Sequence, residues 1–361
     1  MKKQFLTAMA VGSVLLFTSC EDEDTNPQLT IPDTYQSAAF ESNVTAERAV
    51  MDELSAMTSA VNDAEANAQQ TIVAAIDYPS NLSSVTISGY RNLVQDWLVE
   101  LVKSANDDDV FQNPGQGGTP ADGEEGGLLG TRLLDENGLE LEQMVQKGSF
   151  GAALYNHALT VVNGDLTDPA AIDRLVEIHG ALPSFDPAST RAAATYSKRR
   201  SNQATETGPF YDIRNSLITA RAAIEAGGAF DAERDQALRD FLLAWEESNF
   251  ATVIYYCNAT KVQLQSAGED PEALGNAMHA YAEGVGFAHG FKGISDKVIT
   301  DAQIDNILEL LLAPEGEAPA SYRFLNDATL LSNLDQIISD IQDIYGFSDE
   351  EVATFFVNDP S

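Results

Sequence analysis

The sequence predicts an all-α protein, and three observations indicate this class. Apolar residues recur three or four positions apart in one segment after another, which is the spacing of one face of a helix. The alternation of β-branched residues that is typical of strands does not extend beyond a few positions. With 44% apolar residues, the 361-residue chain can bury a large core, which excludes wholesale disorder.

Residues 1–19 predict the signal peptide of a bacterial lipoprotein. Lys2 and Lys3 precede an apolar stretch over residues 6–17, which is shorter than the roughly 20 residues that a membrane-spanning helix needs. Small residues then lead to Cys20, an arrangement that resembles the lipobox in which the cysteine is acylated, for example with palmitate. An ordinary secretory signal with a chance cysteine is the alternative. We expect Cys20 to be the lipidated N-terminus of the mature protein.

Residues 20–40 predict an acidic tether. Four acids, residues 21–24, directly follow the lipidated position, and Pro27 and Pro32 come after them. Such a run resembles the export signal that sends lipoproteins of some Gram-negative lineages to the cell surface. The alternative is a solvated spacer on a protein that stays on the periplasmic face. The folded domain is expected over residues 41–361.

Helices are predicted one after another along this domain. The first, over residues 45–76, is rich in Ala, Glu, Met and Leu, and the second, over residues 88–105, places Leu93, Trp97 and Leu101 on one face. The Gly- and Pro-rich stretch 113–130 predicts a loop. Further helices are predicted over residues 139–163, 169–181, 206–226, 231–266, 271–291, 301–313, 327–345 and 348–357.

An internal repeat adds a symmetry to this helical pattern. The segment FGAALYNHALTVV, which begins at Phe150, matches FATVIYYCNATKV, which begins at Phe250, and each copy continues through an Asp-Pro pair into a second helix. His179 and His279 fall at equivalent positions, 100 residues apart. Chance similarity between two Ala-rich helices is the alternative. The repeat, over about 139–200 and 234–300, predicts two pseudo-symmetric helical bundles.

His279 and Glu283 are the main candidates for a binding site. Residues four apart on a helix project from one face, a spacing that suits a shared metal ion or a histidine oriented by a carboxylate. One helix supplies only two ligands, so a metal needs a donor from a neighbouring helix, and His179 is the candidate. A structural His–Glu pair without an ion is the alternative. Cys257, in an apolar helical run, is expected to be an inert core residue.

Several segments together resemble a known family. They are residues 31–35 (IPDTY), residues 141–148 (LEQMVQKG), residues 245–256 (WEESNFATVIYY) and residues 277–287 (AMHAYAEGVGF). They resemble an uncharacterised family of Gram-negative lipoproteins with a DUF4856-type domain, which is distantly similar to imelysin. The resemblance implies two helical bundles of the imelysin-like type and a role in iron acquisition. It also implies metal or ligand contacts at His279 and Glu283, with His179 as a partner, although the acid of the family's Gly-x-His-x-x-Glu motif is displaced by one position here.

The charge of the chain restricts its partners. With 20 Lys and Arg against 56 Asp and Glu, the net charge is −36, so the chain repels phosphate backbones and anionic headgroups. Contact with the outer membrane is then expected through the lipid alone. We expect a non-enzymatic, surface-exposed lipoprotein that binds iron, haem or another ligand for uptake, with iron or another divalent metal as the possible cofactor. A metal-dependent peptidase of the imelysin type and a metal-free structural or partner-binding module are the alternatives, and the oligomeric state is left open.

Overall fold

The structure is a computed structural model that describes residues 27–107, 110–111 and 126–360. It is mostly helical, which confirms the predicted all-α bundle. A two-stranded antiparallel hairpin, β1 (Gly127–Leu129) and β2 (Arg132–Leu134), precedes the fifth helix. The α-helices are α1 (Phe40–Asn43), α2 (Thr45–Asn67), α3 (Ser80–Val85), α4 (Ser88–Asn106), α5 (Leu141–Ser149), α6 (Asn156–Val162), α7 (Ala170–His179), α8 (Ala192–Arg199), α9 (Pro209–Ala226), α10 (Asp231–Ala267), α11 (Pro271–His289), α12 (Asp301–Leu310), α13 (Arg323–Asn326), α14 (Leu331–Tyr345) and α15 (Asp349–Phe355).

The long helix α10 lies at the centre of the fold, with α9 and α11 packed along it. It is buried on several sides, which is typical of a helix that other helices surround. Phe241, Trp245 and Phe250 are at most 2% exposed. Full burial of a side chain such as Phe250 stabilises the fold by about 1.5–3 kcal/mol. The centre of α10 is therefore a rigid base for the helices around it.

Helix α5 approaches α11 closely because glycines lie at their contact. A Cβ on Gly286 would come within 2.7 Å of the Gln143 carbonyl oxygen, and one on Gly290 within 2.3 Å of the Gly148 carbonyl oxygen. A larger residue at either position would displace backbone, so glycine is required there. The start of α5 is thereby held beside α11.

The predicted helix over residues 139–163 is confirmed as α5, a π-helical segment (Phe150–Tyr155) and α6.

The N-terminal segment is tied into the core by a buried carboxylate. Asp173 of α7 is fully buried, and it accepts hydrogen bonds from the Tyr35 hydroxyl at 2.5 Å, from Ser37 at 2.8 Å and from Arg221 at 2.9 Å. A buried charge is tolerated when it is paired in this way. Tyr35, within the predicted tether, is itself buried, and one continuous hydrophobic core extends from it to Phe355.

The structure corrects several element boundaries. The helix predicted over residues 45–76 ends at Asn67, since Ala68 is extended and Gln69 has a positive φ of 61°. Asn106 then pairs through its side-chain amide with both backbone groups of Val73, which holds this segment in an extended form. The last residues of the predicted loop 113–130 form β1 instead. The short helices α1, α3, α8 and α13 were not predicted.

Both copies of the predicted repeat fold as helix pairs. Asp168 accepts a hydrogen bond from the backbone N–H of Ala170 at 2.9 Å, and Asp270 accepts one from Glu272 at 3.2 Å, so each Asp-Pro pair begins the second helix of its copy. That the two copies arose by duplication stays a prediction.

Within the described ranges, no helix has the length and apolar character needed to cross a bilayer. The predicted signal peptide, Cys20 and the acidic run 21–24 lie outside the described residues.

Candidate functional site

The structure brings His279 and Glu283 together on α11. The Nε2 atom of His279 lies 3.7 Å from a Glu283 oxygen, as their spacing of four residues predicts. The Nδ1 atom lies 2.7 Å from a carboxyl oxygen of Glu140, at the position directly before α5. His279 therefore bridges two carboxyl groups, one from its own helix and one from a helix that the glycine contact holds close.

His179 lies elsewhere in the core. It is fully buried, its Nε2 atom is 3.1 Å from the Ser197 hydroxyl, and its ring packs edge-on against Trp245 at 4.9 Å between centroids. Burial lowers the pKa of His179 to about 3, so the ring is neutral at pH 7. No hydrogen bond, ion pair or ring contact joins it to His279 within the described chain. The structure does not bring His179 to the candidate site.

Three glutamates gather around His279. One carboxyl oxygen from each of Glu65, Glu140 and Glu142 lies within 4.8 Å of the others, and we call these residues the glutamate cluster. Glu65 comes from the end of α2, and the other two flank the first residue of α5. The nearest cation is Arg132 of β2, whose guanidinium is 3.5 Å from Glu65 and 3.7 Å from Glu140. The Lys147 ammonium also acts on Glu142, so two cations face three carboxyl groups.

The environment makes it unfavourable for the cluster to ionise. Burial, and next the Glu65 carboxylate, raise the pKa of Glu140 well above its usual range. Burial and Glu65 also raise the pKa of Glu142 to about 7. Burial lowers the pKa of His279 to about 4, although Glu283 opposes this shift. At pH 7 the 2.7 Å contact therefore joins a neutral His279 ring to a Glu140 carboxyl group whose ionisation burial disfavours.

The cluster opens into a cleft of about 550 Å³, which we call the glutamate cleft. Gln143 lines it, is 1% exposed, and has a side-chain oxygen that accepts no hydrogen bond from any described residue. One oxygen of Glu140, itself fully buried, is also without a hydrogen bond in the described part of the chain. Buried polar atoms in proteins are rarely left unsatisfied.

These donors fit a divalent cation. Carboxylate and amide oxygens bind hard cations at about 2.0–2.6 Å, so oxygens on opposite sides of one ion are about 4–5 Å apart, comparable to the 4.8 Å spread of the cluster. Glu65, Glu140 and Glu142 would hold the ion, Gln143 could add its free oxygen, and His279 would orient Glu140 from behind.

A second cleft, of about 540 Å³, lies on the other side of His279. We call it the tyrosine cleft, because Tyr196, Tyr255 and Tyr256 line it together with Arg199 and Glu283. Lys147 and His279 line both clefts. The Lys147 ammonium lies 3.1 Å from Glu283; burial lowers its pKa, but Tyr196 and Glu283 outweigh burial and hold the pKa above the usual range. Lys147 is therefore a buried cation on the wall between the two clefts.

The sequence analysis did not identify the glutamate cluster. The pattern Glu140-Leu-Glu142, which overlaps the start of the LEQMVQKG segment, was the available signal, but nothing in the sequence placed Glu65 beside it. Cys257 is confirmed as a buried free thiol, and burial raises its pKa to about 12. Glu177, close to His179 in sequence, is engaged by Arg48 and Arg191.

Comparison with known proteins identifies one family. Residues 26–168 match the family model described as Domain of unknown function (DUF4856). This range contains all three glutamates of the cluster, whereas His279 and Glu283 lie beyond it. Neither the curated proteins nor the solved structures contain a match to the chain. The predicted resemblance to a DUF4856-type domain is thus borne out over residues 26–168.

Proposed function

We propose that the protein is a non-enzymatic, lipid-anchored protein of the outer-membrane surface that binds iron or another divalent cation for uptake. The observation that carries the proposal is the glutamate cluster, with the free side-chain oxygen of Gln143 in the same cleft. The resemblance to a lipoprotein family linked to iron acquisition supports the same function.

The physical argument rests on the energy of buried carboxyl groups. Removing carboxylates from water is unfavourable unless a cation or hydrogen-bond donors compensate. Here Arg132 and Lys147, which is already paired with Glu283, are the cations that face three carboxyl groups, and the pKa values of Glu140 and Glu142 are still raised. A bound divalent cation would supply the missing charge and release these protons. The glutamate cluster therefore destabilises the protein without a bound cation and stabilises the protein that holds one.

A titration with Fe²⁺ under argon, followed by calorimetry, tests the proposal. We expect about one site per chain in the wild type and at least tenfold weaker binding in Glu142→Gln, which removes one charged ligand and keeps the size of the side chain. Glu233→Gln is the matched control, because Glu233 is exposed on α10, far along the chain from the cluster. Absence of binding, or equal binding by wild type and Glu142→Gln, would contradict the proposed site.

The same preparation separates the alternatives. Hydrolysis of a peptide library that a chelator abolishes would favour the metal-dependent peptidase. Absence of metal from an otherwise folded protein would favour the metal-free partner-binding module.

Surface exposure has its own test. We propose that the acids 21–24 direct the lipidated protein to the outer face of the membrane, since they follow Cys20 directly. Replacement of all four by Ala is expected to leave the protein lipidated but protected from protease added to intact cells. Equal digestion of the variant and the wild type would show that these acids act only as a spacer.

A further inference from the structure

The tyrosine cleft differs in charge from the rest of this acidic protein. Two cations, Lys147 and Arg199, line it against a single acid, Glu283. Lys147 is 8% exposed, so its ammonium acts at short range in a poorly solvated wall. In a chain of net charge −36, a cleft with an excess of positive charge indicates selection for an anion.

Arg199 is the cation available to that anion. Its guanidinium stacks over the Tyr196 ring, 4.9 Å from the centroid, and no carboxylate of the described residues forms an ion pair with it. Its neighbour Lys198, by contrast, is paired with Asp359 at 2.8 Å. The stacking fixes the plane of the guanidinium, which can then donate two parallel hydrogen bonds to a carboxylate.

The position of this cleft relates it to the glutamate cleft. Lys147 and His279 line both, so the two clefts meet at these side chains. The glutamate cleft presents Glu65 and Glu142 beside Arg132, the tyrosine cleft presents Arg199 beside Glu283, and Lys147 lines both. Each has a volume within the range of small-molecule sites, about 300–1,000 Å³. A ligand that carries a positive charge next to a negative charge would fit the two clefts together.

We propose that the protein binds its cation as a chelate with a small organic oligocarboxylate, whose free carboxylate groups occupy the tyrosine cleft against Arg199 and Lys147. This inference rests on the proposed function, since it names the form in which the cation is taken. The Tyr255 and Tyr256 side chains line the same cleft beside Arg199. A free cation would not need this second, positively charged cleft.

The test compares three probes by calorimetry under argon: Fe²⁺ alone, citrate alone, and Fe²⁺ citrate. Arg199→Gln removes the available cation, and Lys198→Gln is the matched control, with the same loss of charge at the adjacent position. We expect Fe²⁺ citrate to bind the wild type more tightly than citrate alone does. Loss of one charge-assisted hydrogen-bond pair should weaken Fe²⁺ citrate binding at least tenfold in Arg199→Gln. Binding of Fe²⁺ alone should be unchanged in Arg199→Gln, and Lys198→Gln should behave as wild type with every probe.

The outcomes separate this inference from the proposed function. Equal binding of Fe²⁺ citrate by the wild type and Arg199→Gln would overturn the chelate, while Fe²⁺ binding that depends on Glu142 would keep the metal site. Removal of Fe²⁺ from the protein by citrate, without formation of a ternary complex, would also overturn it. Arg199-dependent binding of citrate by a protein that takes no Fe²⁺ would refute the metal site and, with it, the chelate.

Discussion

Replacing Glu142 by Gln should stabilise the empty protein while it weakens metal binding. The change keeps the shape of the side chain and removes one negative charge from the glutamate cluster, whose oxygens lie within 4.8 Å of one another. Two unit charges at 4.8 Å, in a medium of effective dielectric constant about 20, repel each other by about 3.5 kcal/mol. Lys147, Arg132 and the raised pKa of Glu140 offset part of this repulsion. We therefore expect a net gain of about 1–2 kcal/mol in the free energy of unfolding.

Thermal denaturation with and without metal measures both effects. In EDTA, Glu142→Gln should melt about 1–3 °C above the wild type. With Mn²⁺ at about 100 times its dissociation constant, binding should stabilise the wild type by about 2.7 kcal/mol, and the variant should gain less than half of the corresponding shift. Glu233→Gln, which changes an exposed charge on α10, should follow the wild type in both conditions.

Two results would refute this reasoning. A lower melting temperature of Glu142→Gln in EDTA would mean that the carboxylate stabilises the empty fold, and the cluster would then be a structural network. An equal Mn²⁺-dependent shift in Glu142→Gln and the wild type would mean that any metal binds elsewhere.

Three further predictions concern other parts of the molecule. Since the pKa of His179 is depressed to about 3, its contribution to stability is present above pH 6.5 and is lost as the pH falls toward 3. Urea denaturation at pH 7 and pH 5 should show the wild type losing about 2 kcal/mol more than His179→Gln does. Gly148→Ala would place a Cβ 1.5 Å from the Tyr90 hydroxyl, and it should lower the free energy of unfolding by about 2–3 kcal/mol. The control is Gly89→Ala, whose Cβ meets no atom within 4 Å, and its free energy of unfolding should equal or slightly exceed that of the wild type. If both variants lose the same free energy of unfolding, the packing argument is contradicted. Cys20→Ala should move the protein from the membrane fraction to the soluble fraction, and an unchanged distribution on fractionation would refute lipid anchoring at this residue.

The sequence was sufficient to predict most of the helices, because helix formation here follows local patterns. The apolar spacing in residues 231–266 and 271–291 matches α10 and α11 within two residues at each end. The end of α2 was not predictable in this way, because Asn106, 33 positions from Val73, stabilises the extended segment that follows α2. Short helices such as α3 offer too few residues for a periodic pattern.

The candidate site was predictable only in part, for the same physical reason. The pairing of His279 with Glu283 is local, since both lie on one helix face. The partner of His279 is Glu140, 139 positions away, and this contact depends on the close approach of α5 and α11 at their glycines. Equivalent positions in the repeat suggested His179 instead. Its ring turns into the core against Trp245, where burial favours the neutral imidazole.

The metal content of the purified protein tests the central claim most directly. Mature wild-type protein and Glu142→Gln would be expressed in iron-replete medium, dialysed against metal-free buffer and analysed by inductively coupled plasma mass spectrometry. We predict about one equivalent of iron or another divalent metal in the wild type and less than a tenth of that amount in Glu142→Gln. A wild-type protein that is folded and free of metal, or a variant that retains the full amount, would contradict a metal site at Glu65, Glu140 and Glu142.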